Sequence, residues 1–491
     1  MRALLVLAFT FAGCSKPQLQ IVSDGQLLQS GHMAELGETR QFTIAPARLE
    51  LVLSNVGGGV LDVVDLDLPP GVSVVRPDLP LELSPDKQVS IRLGLAAVDE
   101  GPIDGQVRVE SNDLDESVFV LNVKGRVAPY IQIDLQDWPA VDERLAQQME
   151  QDGLVGMAAA VVEGQNIVWM QGYGLADREG GVNVDAQVSR FRWASLSKGL
   201  TALVAANAVG AGDLDFDDEV SDLVMEYEVP ELWLDDGCES VACAQQIPVQ
   251  DRHVSLRQLL SHTAGAQHYS NGVASPEPPV LLRASPQTNT GMRWALDYWT
   301  NNPLVHIPGA DYSYSTFGYN LAGVAIESSL DTTLPAAVQE RVADPLGITT
   351  LGPDYAWDPA PDRVAHYDLV RGDAKRGLDS DVSWKLAGGG FESTVEDLAR
   401  YCAGLMGQVV VDPIVRDADL WHRQAPATGY GLGFSITGDG AERRISHTGA
   451  QQGTRTALLI DPSRDRCYVF MTNSTWARPS TYTSILQSEA P

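Results

Sequence analysis

RWASLSKGLTALVAANAVGAG, residues 192–212, places a lysine three residues after a serine at the head of an apolar run. Leu196, Leu200, Leu203 and Val204 recur at helical spacing, Gly210 and Gly212 close the pattern, and few charges interrupt it. The segment therefore predicts a buried helix rather than a surface one. On that helix Ser195 and Lys198 share a face one turn apart. A buried helix has little reason to desolvate an ammonium unless the charge is used, because stranding it is costly. Desolvation lowers a lysine's pKa and makes it a base able to activate the serine. The alternative reading is a capping serine beside a lysine that snorkels to water. The same spacing recurs at Ser84-Pro85-Asp86-Lys87, where Pro85 between two strand patterns predicts a turn and no helix.

Outward from this helix, further helical patterns begin at 255, 317 and 394, and strand patterns return near 430–436, 443–447 and 455–460. Upstream, VDERLAQQMEQ (141–151) is amphipathic and ends at Gly153, and MAAAVVEGQNIVWMQGYG (157–174) reads as two strands joined at Glu163-Gly164. Helices bracketed by an early hairpin and late strands predict an α+β domain, one antiparallel sheet packed with helices. Residues 20–127 change periodicity. RLELVLSN (48–55), LDVVDLDL (61–68), QVSIRLGL (88–95), GQVRVESN (105–112) and SVFVLNVKG (117–125) alternate apolar and polar residues between Gly-, Pro- and Asn-rich turns. That spacing predicts an all-β sandwich. The expected order is a leader at 1–13, a sandwich at 20–127, a linker at 128–138 and the α+β domain at 139–485.

The chain has 491 residues, more than one ordinary domain, with 65 acidic against 34 basic residues and a formal charge of −31. Such a balance argues against a nucleic-acid partner and suits a solvated surface. The N-terminus, MRALLVLAFTFAGCSK, has a basic start, an apolar core too short to span a bilayer and small residues before Cys14. It resembles the lipobox of bacterial lipoproteins. The resemblance implies cleavage before Cys14, lipidation there and a membrane tether in the bacterial envelope, facing periplasm or exterior. Cys238 and Cys243, in a polar segment, are candidates for a loop-stapling disulfide in such a compartment. Cys402 and Cys467 lie in apolar surroundings and read as buried core thiols. The histidines show no metal-ligand spacing, so no metal is expected.

Further segments bear on Ser195. PGADYSYSTFGYNLAGVAIE (308–327) carries Tyr314-Ser315-Thr316 before a helix, HTGAQQGTRTALLIDP (447–462) opens on His447-Thr448-Gly449, and VSLRQLLSHTAG (254–265) and GGGFESTVEDLARY (388–401) accompany them. Their order and content resemble the serine β-lactamase family, specifically the class C β-lactamases and D-alanyl-D-alanine carboxypeptidases, over about residues 139–485. The resemblance implies an acylated nucleophile at Ser195, the motif lysine at Lys198 and a proton-shuttling tyrosine at Tyr314. It implies an oxyanion hole from the backbone N–H groups of Ser195 and Ala450, with Thr316, His447, Thr448 and Gly449 along the substrate groove. Thr316 stands where the family carries asparagine, and His447 where true class C β-lactamases carry lysine. Histidine there, with YSTFGY, also resembles the mitochondrial serine β-lactamase-like proteins. A histidine near pKa 6.5 would change charge through the neutral range, so His447 is expected to hold a substrate carboxylate less well from about pH 6 to 8. His262 reads as loop packing, and Trp169 and Trp193 as core or groove wall.

For residues 20–127 the looser pattern SNVGGG, LSPDKQVSIRL, GQVRVESND resembles immunoglobulin-like domains of the abnormal-spindle/SPD-2/Hydin type, which implies a spacer or a module binding a protein or glycan. The expected activity is hydrolysis of an ester or amide through an acyl-enzyme, of the D-alanyl peptidase, carboxypeptidase or esterase kind, without cofactor and on substrates including peptidoglycan-derived peptides. A class C-like β-lactamase is the same-chemistry alternative, and a silent peptidoglycan- or peptide-binding module the alternative of another class.

Overall fold

The computed structural model describes residues 16–41, 48–96, 98–235, 237–238, 240–269, 291–424 and 429–491. The leader and its Cys14 lie outside these described residues. The chain divides into two compact units between Tyr130 and Ile131.

The first unit contains ten strands: β1 (Leu19–Ser23), β2 (Gln26–Leu27), β3 (His32–Arg40), β4 (Arg48–Asn55), β5 (Leu61–Asp67), β6 (Val72–Val75), β7 (Leu81–Leu83), β8 (Gln88–Leu95), β9 (Gly101–Ser111) and β10 (Val118–Ala128). They form two sheets, ordered β2-β1-β4-β8-β6 and β3-β10-β9-β5-β7. Alternation along each strand sends one side inward. Leu51, Leu53, Ile91 and Leu93 of the first sheet and Val107, Val109, Leu121 and Val123 of the second fill one apolar core. The sheets therefore stack as a sandwich. Ser84 sits at a turn, where the Lys87 N–H donates to its carbonyl at 3.1 Å and Asp86 has φ 63°. The second S-x-x-K is thus a turn, with no helix to align the two side chains.

The second unit opens with β11 (Gln132–Ile133), α1 (Pro139–Asp152) and the hairpin β12 (Gly156–Glu163) and β13 (Asn166–Asp177). Then come β14 (Phe191–Arg192), α2 (Leu196–Ala211), α3 (Leu256–Leu260), α4 (Thr316–Leu330), β15 (Phe391–Ser393) and α5 (Val395–Met406). The chain closes with β16 (Ser435–Thr437), β17 (Arg444–Gln451), β18 (Thr454–Asp461), β19 (Arg466–Thr472) and α6 (Pro479–Glu489). The main sheet runs β11-β13-β12-β19-β18-β17-β16, antiparallel except where β11 joins β13. One face is covered by α1 and α6, whose Leu145, Tyr482 and Leu486 pack with Met157, Val161 and Phe470 of the sheet. The other carries α5. With helices on both sides, β12 is buried from Gly156 to Val162, which explains its continuous apolar run.

Two expectations change here. Residues 128–138 are not a free linker: Ala128 ends β10, Gln132–Ile133 is an edge strand, and buried Trp138 stacks on Trp169 at 6.1 Å. Cys402 of α5 and Cys467 of β19 are both buried, as their surroundings indicate, but they are joined in a disulfide that ties helix to sheet. Apolar flanks report burial and carry no information about which strand a helix covers. Cys238 and Cys243 form a second, exposed disulfide.

Candidate active site

Ser195 is presented by a tight turn between β14 and α2. Trp193 is fully buried and donates its Nε1–H to Ser393 Oγ at 2.8 Å, anchoring the turn. Ala194 then takes φ 47°, a left-handed conformation that costs a non-glycine residue of order 1 kcal/mol or more. Ser195 occupies the N-cap position, yet its side chain makes no capping hydrogen bond. The hydroxyl is reserved for other partners: Tyr314 donates to Oγ at 2.9 Å and Lys198 Nζ at 3.4 Å. The capping alternative therefore fails.

The snorkelling alternative fails as well, because Lys198 is fully buried. Its Nζ also donates to the Gly388 carbonyl at 2.6 Å and to Thr316 Oγ1 at 3.3 Å. Its Nζ sits 4.7 Å from the Tyr314 ring centroid and 5.5 Å from that of Tyr319. Among the described residues no carboxylate acts on its charge. Burial first, and the charge of Lys385 second, hold its pKa well below the usual lysine value. The charged form of Lys198 is thereby disfavoured, which suits the residue to take the serine's proton. Burial moves Tyr314 the other way, raising its pKa, so it remains a neutral phenol that donates.

Tyr314 is held by residues distant in sequence. The buried His262, with φ 62° just past α3, packs its ring at a tilt against that of Tyr314, centroids 4.3 Å apart, and accepts the Ser315 N–H on Nδ1 at 3.0 Å. Ser315 caps α4 through the Gly318 N–H at 2.9 Å. Thr316, the first residue of α4, donates its N–H to His268 Nδ1 at 3.2 Å. Its hydroxyl accepts from Lys198, so the position expected to bind substrate also supports the base.

The strand β17 forms the opposite wall. It pairs with β18 along its length, but with β16 only as far as Ser446, leaving residues 447–451 as an edge among the described strands. Thr448 and Ala450 are exposed on it. Gly449 faces α2, where a Cβ would run into the Trp193 carbonyl and Thr456 Oγ1, so glycine is required for the strand to approach Ser195. The Ser195 N–H donates to no backbone carbonyl among the described residues, which leaves it available beside Ala450.

His447 departs from expectation. It is buried; its Nδ1 lies 2.8 Å from the Thr448 carbonyl and its Nε2 2.9 Å from the Tyr430 hydroxyl. A carbonyl only accepts, so Nδ1 carries the hydrogen and Nε2 accepts from Tyr430. Burial, then Lys198, lower its pKa to about 4. The imidazole is therefore neutral throughout pH 6 to 8 and undergoes no charge change there. Tyr430, Gly388, Lys385 and His268 were not singled out from the sequence. Only Tyr430, in the aromatic GYGLGF run (429–434), carries a local signal. No group of side chains with metal-binding character occurs among the described residues.

The arrangement supplies a nucleophile, a base whose charged form is disfavoured, a neutral proton donor and an exposed strand edge able to stabilise an oxyanion. The Beta-lactamase family model matches residues 141–486. Esterase EstB of Burkholderia gladioli is 26% identical over 326 residues, 60% of this chain and 78% of that protein. The mitochondrial serine beta-lactamase-like protein LACTB of Homo sapiens is 25% identical over 307 residues, 51% of this chain and 53% of that protein. Among solved structures, EstCE1, a hydrolase with promiscuous acyltransferase activity, superposes with a TM-score of 0.59 at 19% identity, covering 72% of this chain and 98% of its own.

Proposed function

Because the chain belongs to the Beta-lactamase family of serine hydrolases, we propose that it hydrolyses a carboxylic ester or amide, of the esterase or D-alanyl carboxypeptidase kind, through an acyl-enzyme on Ser195. The reading rests on one observation: Ser195 Oγ is engaged at once by Lys198 Nζ and by the Tyr314 hydroxyl. Lys198 takes the serine's proton as Oγ attacks the carbonyl. The backbone N–H groups of Ser195 and Ala450 receive the oxyanion. Tyr314 passes a proton to the leaving group, and water, activated by the same pair, releases the acid. A silent binding module has no physical need of an intact Ser-Lys-Tyr set.

Esters and simple amides are preferred over β-lactams. Thr316 presents a hydroxyl committed to Lys198, where an asparagine would offer an amide to a substrate carbonyl. Similarity to an esterase supports the same order. The test is a panel of a p-nitrophenyl ester, a D-Ala-D-Ala peptide and a chromogenic cephalosporin, run on wild type and Ser195→Ala. Turnover of ester or peptide that Ser195→Ala abolishes is expected; turnover surviving that substitution refutes the assignment.

The leader supports a further part of the proposal, an envelope lipoprotein tethered at Cys14 that carries an immunoglobulin-like sandwich as a spacer or binding module. No helix among the described residues is long and apolar enough to cross a membrane. Mass spectrometry of the mature N-terminus tests the tether: an acylated Cys14 is expected, and an unmodified or differently cleaved terminus overturns it.

A further inference from the structure

Thr454, Thr456, Leu458 and Ile460 alternate along β18 and are all buried, Thr456 completely. Two hydroxyls therefore stand on a side of the strand that carries leucine and isoleucine further along. Valine has the same shape, suits a strand and has no hydroxyl to desolvate, so a threonine at full burial must be held by a hydrogen bond. The Thr454 hydroxyl lies between two carbonyls, that of Thr472 within the sheet at 3.0 Å and that of Arg192 at 3.2 Å. Thr456 instead donates to the Trp193 carbonyl at 3.0 Å. That carbonyl also accepts the Leu196 N–H at 3.1 Å, which closes the turn that carries Ser195. On its other side Thr456 meets the oxyanion strand: its cross-strand partner on β17 is Gly449, the residue before Ala450. A Cβ at 449 would fall on the Thr456 hydroxyl and the Trp193 carbonyl together, so glycine there is what lets this bond form. A further tie, from Arg192 Nη1 to the Gln452 carbonyl at 3.2 Å, sits at the tip of the β17–β18 hairpin.

Two backbone donors must meet one oxygen, each within hydrogen-bond reach of the place where negative charge develops. They come from separate elements, Ser195 from the turn into α2 and Ala450 from β17. Their separation is therefore set by tertiary packing. The Thr456–Trp193 bond spans it, two residues from one donor and directly across from the neighbour of the other. We propose that Thr456 is a positioning residue for the oxyanion hole, its hydroxyl fixing the gap between the Ser195 and Ala450 N–H groups. It touches neither substrate nor reacting atoms. The assignment rests on the hydrolase reading above and deepens it. A displaced donor loses transition-state stabilisation, on the order of tenfold in rate for a few tenths of an ångström where about 1 Å costs 10²-fold.

The test uses the full chain and p-nitrophenyl trimethylacetate, with and without a heavy-carbon label at its carbonyl, whose hindered acyl group leaves Ser195 slowly. A hole with both donors in place polarises the acyl-enzyme carbonyl and lowers its stretching frequency, which isotope-difference infrared spectroscopy reads. Thr456→Val should raise that frequency and lower kcat/KM for the ester about tenfold. Thr456→Ser keeps the hydroxyl and should stay close to wild type in both. Thr456→Ala and Thr456→Ser differ from each other by the hydroxyl alone, so this pair carries the comparison if Thr456→Val does not fold, with Thr456→Ser at the lower frequency. A role confined to stability would lower the melting temperature and leave the carbonyl frequency of the folded acyl-enzyme where it was. An unmoved frequency in Thr456→Val and Thr456→Ala, or a Thr456→Ser that behaves like them, overturns the positioning role while the hydrolase stands. No acyl-enzyme on Ser195 in wild type removes both.

Discussion

Tyr314 donates its hydroxyl hydrogen to Ser195 Oγ across 2.9 Å, while Lys198 reaches the same oxygen at 3.4 Å. One nucleophile is therefore shared by two groups that burial drives in opposite directions, the amine toward neutrality and the phenol away from ionisation. Proton transfer in either direction stays inside this triangle.

Removing either member should cost what removing both costs, because they act as one unit. Lys198→Ala and Tyr314→Phe are each expected to lower kcat/KM for a p-nitrophenyl ester by about 10²- to 10⁴-fold. The double variant should fall no further than the worse single one. Strictly multiplicative losses in that double-mutant cycle would separate their roles.

The pH profile should depend on Lys385. Its positive charge disfavours the charged form of Lys198, so its loss favours protonation and raises the base's pKa. Lys385→Met is expected to move the acidic limb of kcat/KM to higher pH, read with an uncharged ester. An unmoved limb would show that burial alone sets the base.

His447 should leave substrate binding flat between pH 6 and 8, since it is neutral over that whole range. Its effect belongs to stability. With a folded pKa of about 4 against an ordinary value of about 6.5, the unfolded chain binds the extra proton between these limits. Stability is full above the unfolded value, falls as pH drops through the interval and is lost below the folded one, a contribution on the order of 3 kcal/mol. Urea midpoints measured from pH 7 to 4 should decline less in His447→Asn than in wild type.

Where the chain is cut should matter over a few residues. A protein beginning at Ile131 keeps β11 and the Trp138–Trp169 stack, and is expected to fold as an active unit. One beginning at Pro139 loses both, and the buried indole alone is worth about 3 kcal/mol or more. Thermal melts of the two should differ by several degrees, and identical melts would make the 131–138 segment dispensable.

The sequence alone determined what short spacings and alternation can encode. Ser195 and Lys198 are three residues apart, and any helix starting there places them on one face; Pro85 makes the same spacing at Ser84 a turn. Alternating runs from 48 to 125 specified strands with one inward side, and the runs on either side of Glu163-Gly164 specified a hairpin. Ordered motifs brought Tyr314 and the 447–450 edge to the same site. Tertiary structure decided everything that depends on which distant side chain arrives. Lys198 meets Gly388 from 190 residues away, and Lys385 depresses its pKa from a segment with no motif of its own. His447 is neutral because burial and the nearby Lys198 disfavour its charged form, which no residue identity at position 447 states. Cys402 finds Cys467 because α5 lies on the face of the sheet that β19 presents. Local spacing is geometry fixed by the backbone, whereas protonation state and disulfide pairing depend on dielectric and distance, and those exist only once the chain has packed.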